Sequence, residues 1–83
     1  MPTKWELVGF VKRSQNRRNA LKLLEKPMMP TEMGKEMKIS LTHASKIIRE
    51  LDSKGLVECL NDKLKVGRLY KINKRGKEIL KFS

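Results

Sequence analysis

The chain has 83 residues, which is room for one domain and one small core, and at this size only about 60% of the unfolded surface is buried. Lys and Arg number 20 against 9 Asp and Glu, a formal net charge of +11, beyond the magnitude of roughly 2–8 usual for a small soluble domain. The excess calls for a polyanion, nucleic acid before an anionic membrane surface. A hydrophobic content of 39% excludes wholesale disorder, and no apolar run approaches the roughly 18 residues of a membrane span.

The first 13 residues contain Trp5, Leu7, Val8, Phe10 and Val11. Neither the helical nor the strand period fits them cleanly, and the reading favours a helix toward Arg13. Met1 to Leu7 lacks the apolar stretch of a signal peptide, which predicts a cytoplasmic protein. Ser14 offers an N-cap oxygen, and Ala20, Leu21, Leu23 and Leu24 predict a helix from about Gln15 to Lys26 that Pro27 ends.

Pro30-Thr31 opens the next unit, with Thr31 read as N-cap and Glu32 suited to the first turn. Met33 and Met37 share a face with Gly34. A glycine inside so short a helix costs about 1 kcal/mol relative to alanine, and close approach of another helix is its expected compensation. The helix ends near Lys38. Ser40 or Thr42 then caps a helix from Leu41 to Lys54, in which Ala44, Ile47, Ile48 and Leu51 form an i, i+3, i+4, i+7 core stripe. That stripe leaves Thr42, Lys46, Arg49 and Ser53 on the opposite face. Gly55 is the expected left-handed stop.

Two short strands follow, Leu56–Leu60 and Arg68–Ile72, separated by a loop with turn residues Asn61, Asp62 and Gly67. Asn73 caps a last helix from Lys74 to about Phe82, with Ile79, Leu80 and Phe82 read as inward-facing. The order of elements predicts a mainly α single domain over residues 1–83 with a small β-hairpin. A short helix, a tight turn and a longer helix make a helix-turn-helix, and a hairpin directly after it makes a winged helix.

Chemistry is sparse. Cys59 is the one cysteine and lies in an apolar run, so it reads as a small hydrophobe. His43 is the one histidine, and no third group suggests a Cys–His nucleophile. The five glycines are scattered and cradle no phosphate. No catalytic residue, cofactor, metal site or small-molecule ligand is identified. Met28, Met29, Met33 and Met37 read as adaptable core filling rather than metal ligands, and Tyr70 as a packed strand residue.

Charge is concentrated instead. Between Lys63 and Lys81 there are eight cations and one acid, Glu78, so 8 − 1 = +7 of the +11 lies there. Lys63, Lys65 and Arg68 sit on a protruding loop and read as phosphate contacts. Lys12, Arg13, Arg17 and Arg18 form a second cluster that either touches phosphates or keeps the surface soluble.

The segment from Thr31 to Glu58, with its Lys54-Gly55-Leu56-Val57-Glu58, resembles the core of small prokaryotic winged-helix transcriptional regulators of the MarR-like and ArsR-like groups, archaeal in flavour. Gly67-Arg68-Leu69-Tyr70 through Leu80 resembles the return strand of their wing and the start of their last helix. The two stretches cover about half of the chain. The resemblance implies sequence-specific double-stranded DNA binding in the cytoplasm, on the nucleoid. It implies a recognition helix beginning near Ser40, with Ser40, Thr42, His43, Lys46 and Arg49 toward DNA, and a basic wing carrying Lys63, Lys65 and Arg68. Glycine is common in the family where this chain has Lys38, and its effector-binding and metal-sensing residues find no match. Relatives often carry long flanking helices for dimerisation, and this sequence is expected to hold little beyond the core. Trp5, Val8 and Phe10 either cover the core or form an exposed apolar patch for a partner subunit, and a homodimer through them is the expectation because a winged-helix monomer alone makes few contacts. Arg49 either donates to guanine or phosphate, or pairs with Asp52 or Glu50. The alternatives are an RNA-binding or ribosome-associated winged helix and a protein-interaction module of a transcription complex.

Overall fold

The computed structural model describes residues 3–83. It is mainly helical, with five helices and one two-stranded antiparallel sheet. The order is α1 (Lys4–Lys12), α2 (Gln15–Leu23), α3 (Pro30–Met37), α4 (Leu41–Ser53), β1 (Val57–Cys59), β2 (Tyr70–Ile72) and α5 (Lys74–Phe82).

Side-chain oxygens start four of these helices. Thr3 accepts from the Glu6 amide at 3.2 Å, Ser14 from Arg17 at 3.3 Å, Ser40 from His43 at 3.1 Å and Asn73 from Gly76 at 2.8 Å. Each satisfies one amide that the first turn leaves unbonded. α3 starts differently. Met29 occupies its N-cap position and Pro30 its first helical position, so Thr31 lies inside the helix rather than capping it. Proline favours that position because its fixed φ is helical and its missing N–H is not needed. The Glu32 carboxylate accepts from the Met29 amide at 3.0 Å and does the capping.

α2 stops at Leu23, three residues before the expected Lys26. The Glu25 and Lys26 amides bond to the Lys22 and Leu23 carbonyls in tight i→i−3 turns, and the Leu24 carbonyl instead accepts from Ile72 at 2.7 Å. Leu24 is fully buried, so the chain leaves the helix to dock this residue against β2.

The turn between α3 and α4 is short and strained. Lys38 has φ 58 and ψ 43, and among the described residues it is the only non-glycine with positive φ. The Ile39 amide closes the turn on the Gly34 carbonyl at 2.9 Å. A Cβ on Gly34 would stand 3.1 Å from the Ile39 carbonyl oxygen and 3.6 Å from the Ala44 Cβ. Glycine is therefore what lets α3 lie close to the turn and to α4, and this matches the expected close approach.

All four stripe residues of α4, Ala44, Ile47, Ile48 and Leu51, are buried. They meet Leu7, Val11, Leu21, Leu24, Met33, Leu56, Ile72 and Ile79 in one core, which holds no polar or charged residue among those described. Gly55 takes φ 71 after α4, the expected left-handed stop.

The sheet pairs Val57 with Ile72, Glu58 with Lys71 and Cys59 with Tyr70. Each strand is three residues, shorter than the five expected, with one further bond from the Leu60 amide to the Leu69 carbonyl at 2.8 Å. Met28 adds a bridge on the far side of β2, exchanging two bonds of 3.0 Å with Tyr70. β2 is thus held from both edges. α5 packs on α1, α2 and β2. Its Gly76 is buried against the chain, where a Cβ would collide with the Leu56 carbonyl oxygen and lie 2.6 Å from the Ile72 Cγ1. Ile79 is buried and Leu80 half-buried, but Phe82 is 42% exposed rather than inward-facing. Its ring meets the edge of Trp5 at 5.8 Å, with the Lys4 ammonium 3.9 Å from its centroid. Among the described residues no helix is long and apolar enough to cross a membrane.

Candidate nucleic-acid interface

The outward face of α4 presents Thr42, His43, Lys46, Arg49 and Ser53, all exposed. They are the residues left over once the stripe is buried, so the core and this face are set by the same periodicity. Ser40 is exposed at the start of the helix, with its hydroxyl already accepting from the His43 amide. Neither Lys46 nor Arg49 has an acidic partner within ion-pair distance among the described residues. Arg49 pairs neither with Glu50, which is bonded to Arg17, nor with Asp52.

The loop from Leu60 to Leu69 is stapled by its own residues. The Asn61 amide nitrogen donates to the Gly67 carbonyl at 3.0 Å, and its Oδ1 accepts from the Leu69 amide at 2.7 Å. Arg68 donates to the carbonyls of Leu64 at 2.6 Å and Asp62 at 3.3 Å. The Tyr70 side chain, above all other influences, raises the pKa of this guanidinium. Arg68 was expected to contact phosphate freely, and its donors are instead engaged in shaping the loop. Lys63 and Lys65 are exposed and make no ion pair among the described residues.

α4 and this loop face one another across a cleft of about 500 Å³, lined by Leu41, Arg49, Lys65, Val66, Arg68 and Tyr70 among others. Residues from positions 41 to 70 are therefore brought together, with Arg49 and Lys65 on the same cleft. This places two regions of the expected contact surface side by side.

The structure does not bring Arg17 and Arg18 into that surface as free cations. Arg17 lies half-buried over the Phe10 ring, 3.9 Å from its centroid. It donates to the Phe10 carbonyl at 2.9 Å and to the Glu50 carboxylate at 3.1 Å. Arg18 donates to the Ser83 carbonyl at 3.3 Å. Both clamp helices to one another. An apolar neighbour and a buried carbonyl make a better site for a guanidinium than for an ammonium, because its planar face stacks while its edge donates.

Trp5, Val8 and Phe10 do not form one patch. Val8 is in the core, Phe10 is covered by Arg17, and Trp5 alone is left 67% exposed, beside Phe82. Cys59 is half-buried, with its thiol 3.6 Å from the Asn61 Oδ1. Met33 is fully buried, while Met28 and Met37 pack on the core from its edge. No group of three metal-ligating side chains occurs among the described residues.

Asn61 is recognisable from the sequence as a turn residue, but its role as the staple of the loop appears only in the structure. The signal was present as Asn-Asp at one end and Gly67 at the other, the two ends that its side chain joins. Leu64 and Val66, exposed on the same loop, carried no signal of use by their type alone. No protein-family model, curated protein or solved structure matches the chain.

Proposed function

We propose that the chain is a winged helix-turn-helix of the MarR-like and ArsR-like kind it resembles in sequence, and that it binds double-stranded DNA as a regulator of transcription. In this reading α3 and α4 are the helix-turn-helix, α4 is the recognition helix, and Leu60 to Leu69 is the wing. The observation that carries it is the outward face of α4. Its Thr42, His43, Lys46 and Arg49 are exposed, its cations are unpaired among the described residues, and a preformed basic loop adjoins it. An α-helix fits the roughly 12 Å major groove, where Arg49 has the donors to bond two acceptors of guanine and Thr42 or His43 to meet other base edges. Lys63 and Lys65 supply phosphate contacts that position the domain without reading sequence.

Selection of bound fragments from random duplex, followed by anisotropy titrations, tests this. Arg49→Ala should cost about 1–3 kcal/mol on the selected site and relax preference at one base position, whereas Lys65→Ala should weaken all duplexes about equally. If the two variants behave alike, the division of roles is wrong. Duplex RNA of the same sequence should compete poorly, because the deep, narrow A-form major groove excludes a helix. Equal competition would favour an RNA partner.

A further inference from the structure

The wing loop carries apolar residues where a solvated connection has no use for them. Val66 is 85% exposed and Leu64 50%. Single exposed hydrophobic residues are common and mean little. Three features separate these two from that background. They alternate with cations in Lys63-Leu64-Lys65-Val66. They sit on a loop whose shape is fixed by the Asn61 and Arg68 bonds. Val66 also lines the cleft shared with Leu41 and Arg49 of α4, so it adjoins the face assigned to DNA.

We propose that Leu64 and Val66 form an apolar wedge that enters the minor groove beside the major-groove site of α4, partly unstacking a base step and bending the duplex, while Lys63 and Lys65 hold the flanking phosphates. The inference rests on the DNA-binding reading above. Apolar side chains inserted between base pairs open the step and kink the duplex, and flexible pyrimidine–purine steps yield most cheaply. A rigid loop suits this task. Insertion then costs little additional ordering of the protein, and the deformation of the DNA is the main opposing term. The cations draw the loop to the groove, and the apolar side chains gain by leaving water. The chain would thereby read the deformability of a step that it does not contact through hydrogen bonds.

The test uses the full chain and a duplex of about 16 base pairs, one and a half turns, labelled at both ends for energy transfer. Its central TA step carries 2-aminopurine, whose emission rises on unstacking. Binding is followed separately by anisotropy at low salt. For the wild type we expect shortening of the end-to-end distance by a bend of roughly 20–90° and a rise in 2-aminopurine emission. The Leu64→Ser/Val66→Ser variant should still bind but leave the duplex straight and the probe stacked. Both side chains are exposed, so folding should be unaffected. Lys65→Ala should bind more weakly yet bend the duplex as before once saturated. A wild-type complex with straight, stacked DNA would overturn the wedge and leave the DNA-binding reading intact, as would equal bending by the double variant. Absence of duplex binding by the wild type would overturn the reading beneath it. Loss of adsorption to phosphatidylserine-rich vesicles in the double variant, with duplex bending unchanged, would assign the apolar residues to a membrane surface instead.

Discussion

The number of cations free to meet phosphate is the most direct quantity the structure supplies about DNA binding. Counting Lys63, Lys65, Arg68, Arg17 and Arg18 as contacts, together with Lys46 and Arg49, brings seven to the duplex, and at about 0.9 per phosphate the slope of log K against log salt would be about −6.3. The structure removes Arg17 and Arg18 from that set, because one is bonded to Glu50 and Phe10 and the other to Ser83. Arg68 is committed to the loop carbonyls of Asp62 and Leu64. With Arg49 assigned to a base edge, Lys46, Lys63 and Lys65 are left, which gives a slope of about −2.7. Between 50 and 200 mM salt, a fourfold change, affinity should then fall by about 40-fold, against roughly 6,000-fold for seven contacts. Anisotropy titrations across that range measure the slope directly. Lys46→Ala and Lys65→Ala should each make it shallower by about 0.9, and Arg17→Met should leave it unchanged. A slope near −6, or a clear change on removing Arg17, would refute the assignment of Arg17 to structure.

Stability measurements probe the fold that presents this face. Arg17→Met strips Glu50 of its partner and the Phe10 ring of its cover, and should lower stability in urea by about 1–2 kcal/mol, discounted for the partial exposure of the pair. Gly76→Ala gains about 1 kcal/mol of helix propensity but forces a methyl against the Leu56 carbonyl and Ile72, and because the nearest atom is backbone the overpacking cost lies at the upper end of the usual range, about 3 kcal/mol. The net should be a loss of about 2 kcal/mol and a Tm lower by about 10 °C, whereas Gly9→Ala, with nothing within 4 Å, should be neutral or stabilising. A Gly76→Ala protein as stable as wild type would mean that α5 does not sit this close to the hairpin. Lys38→Gly relieves a left-handed cost of about 1–2 kcal/mol against an added unfolded-state entropy of roughly 0.5–1 kcal/mol, so the Tm should rise by a few degrees. An unchanged or lower Tm would count against the αL turn.

The legible parts of the fold are those fixed by local rules. The α4 stripe was readable because four apolar residues at helical spacing leave only one face to bury. Ser14 and Asn73 were readable as caps, and Ser40 as one of two candidates with Thr42, because such side chains reach amides three residues on. The Thr31 cap failed because a neighbouring proline competes for the same turn and fits the first helical position better. What sequence could not show are pairings across distance. Arg17 and Glu50 are 33 positions apart, and nothing in either neighbourhood marks the match. The bridge of Met28 to Tyr70 is a single residue pair, too short to leave a periodic trace. The Trp5, Val8 and Phe10 cluster looked like one surface because a nine-residue helix of weak amphipathicity does not declare its faces. Only packing against α2 and α5 divides them. On the candidate face, Lys46, Arg49, Lys63 and Lys65 were legible as charges. Which of the remaining arginines were free was decided by carbonyls and rings elsewhere in the chain.

The two-sided clamp on β2 has a mechanical consequence. Tyr70 is bonded to Met28 on one edge and paired with Cys59 on the other, while the Ile72 amide is tied to Leu24. A hairpin anchored on one edge can swing about its base like a door. This one is built in at the root like a cantilever, so displacement is confined to the overhanging residues beyond the Leu60–Leu69 bond. The angle between α4 and the root of the hairpin is then a fixed span, and under the proposed DNA-binding function a duplex that presents its two grooves at another spacing must itself give way.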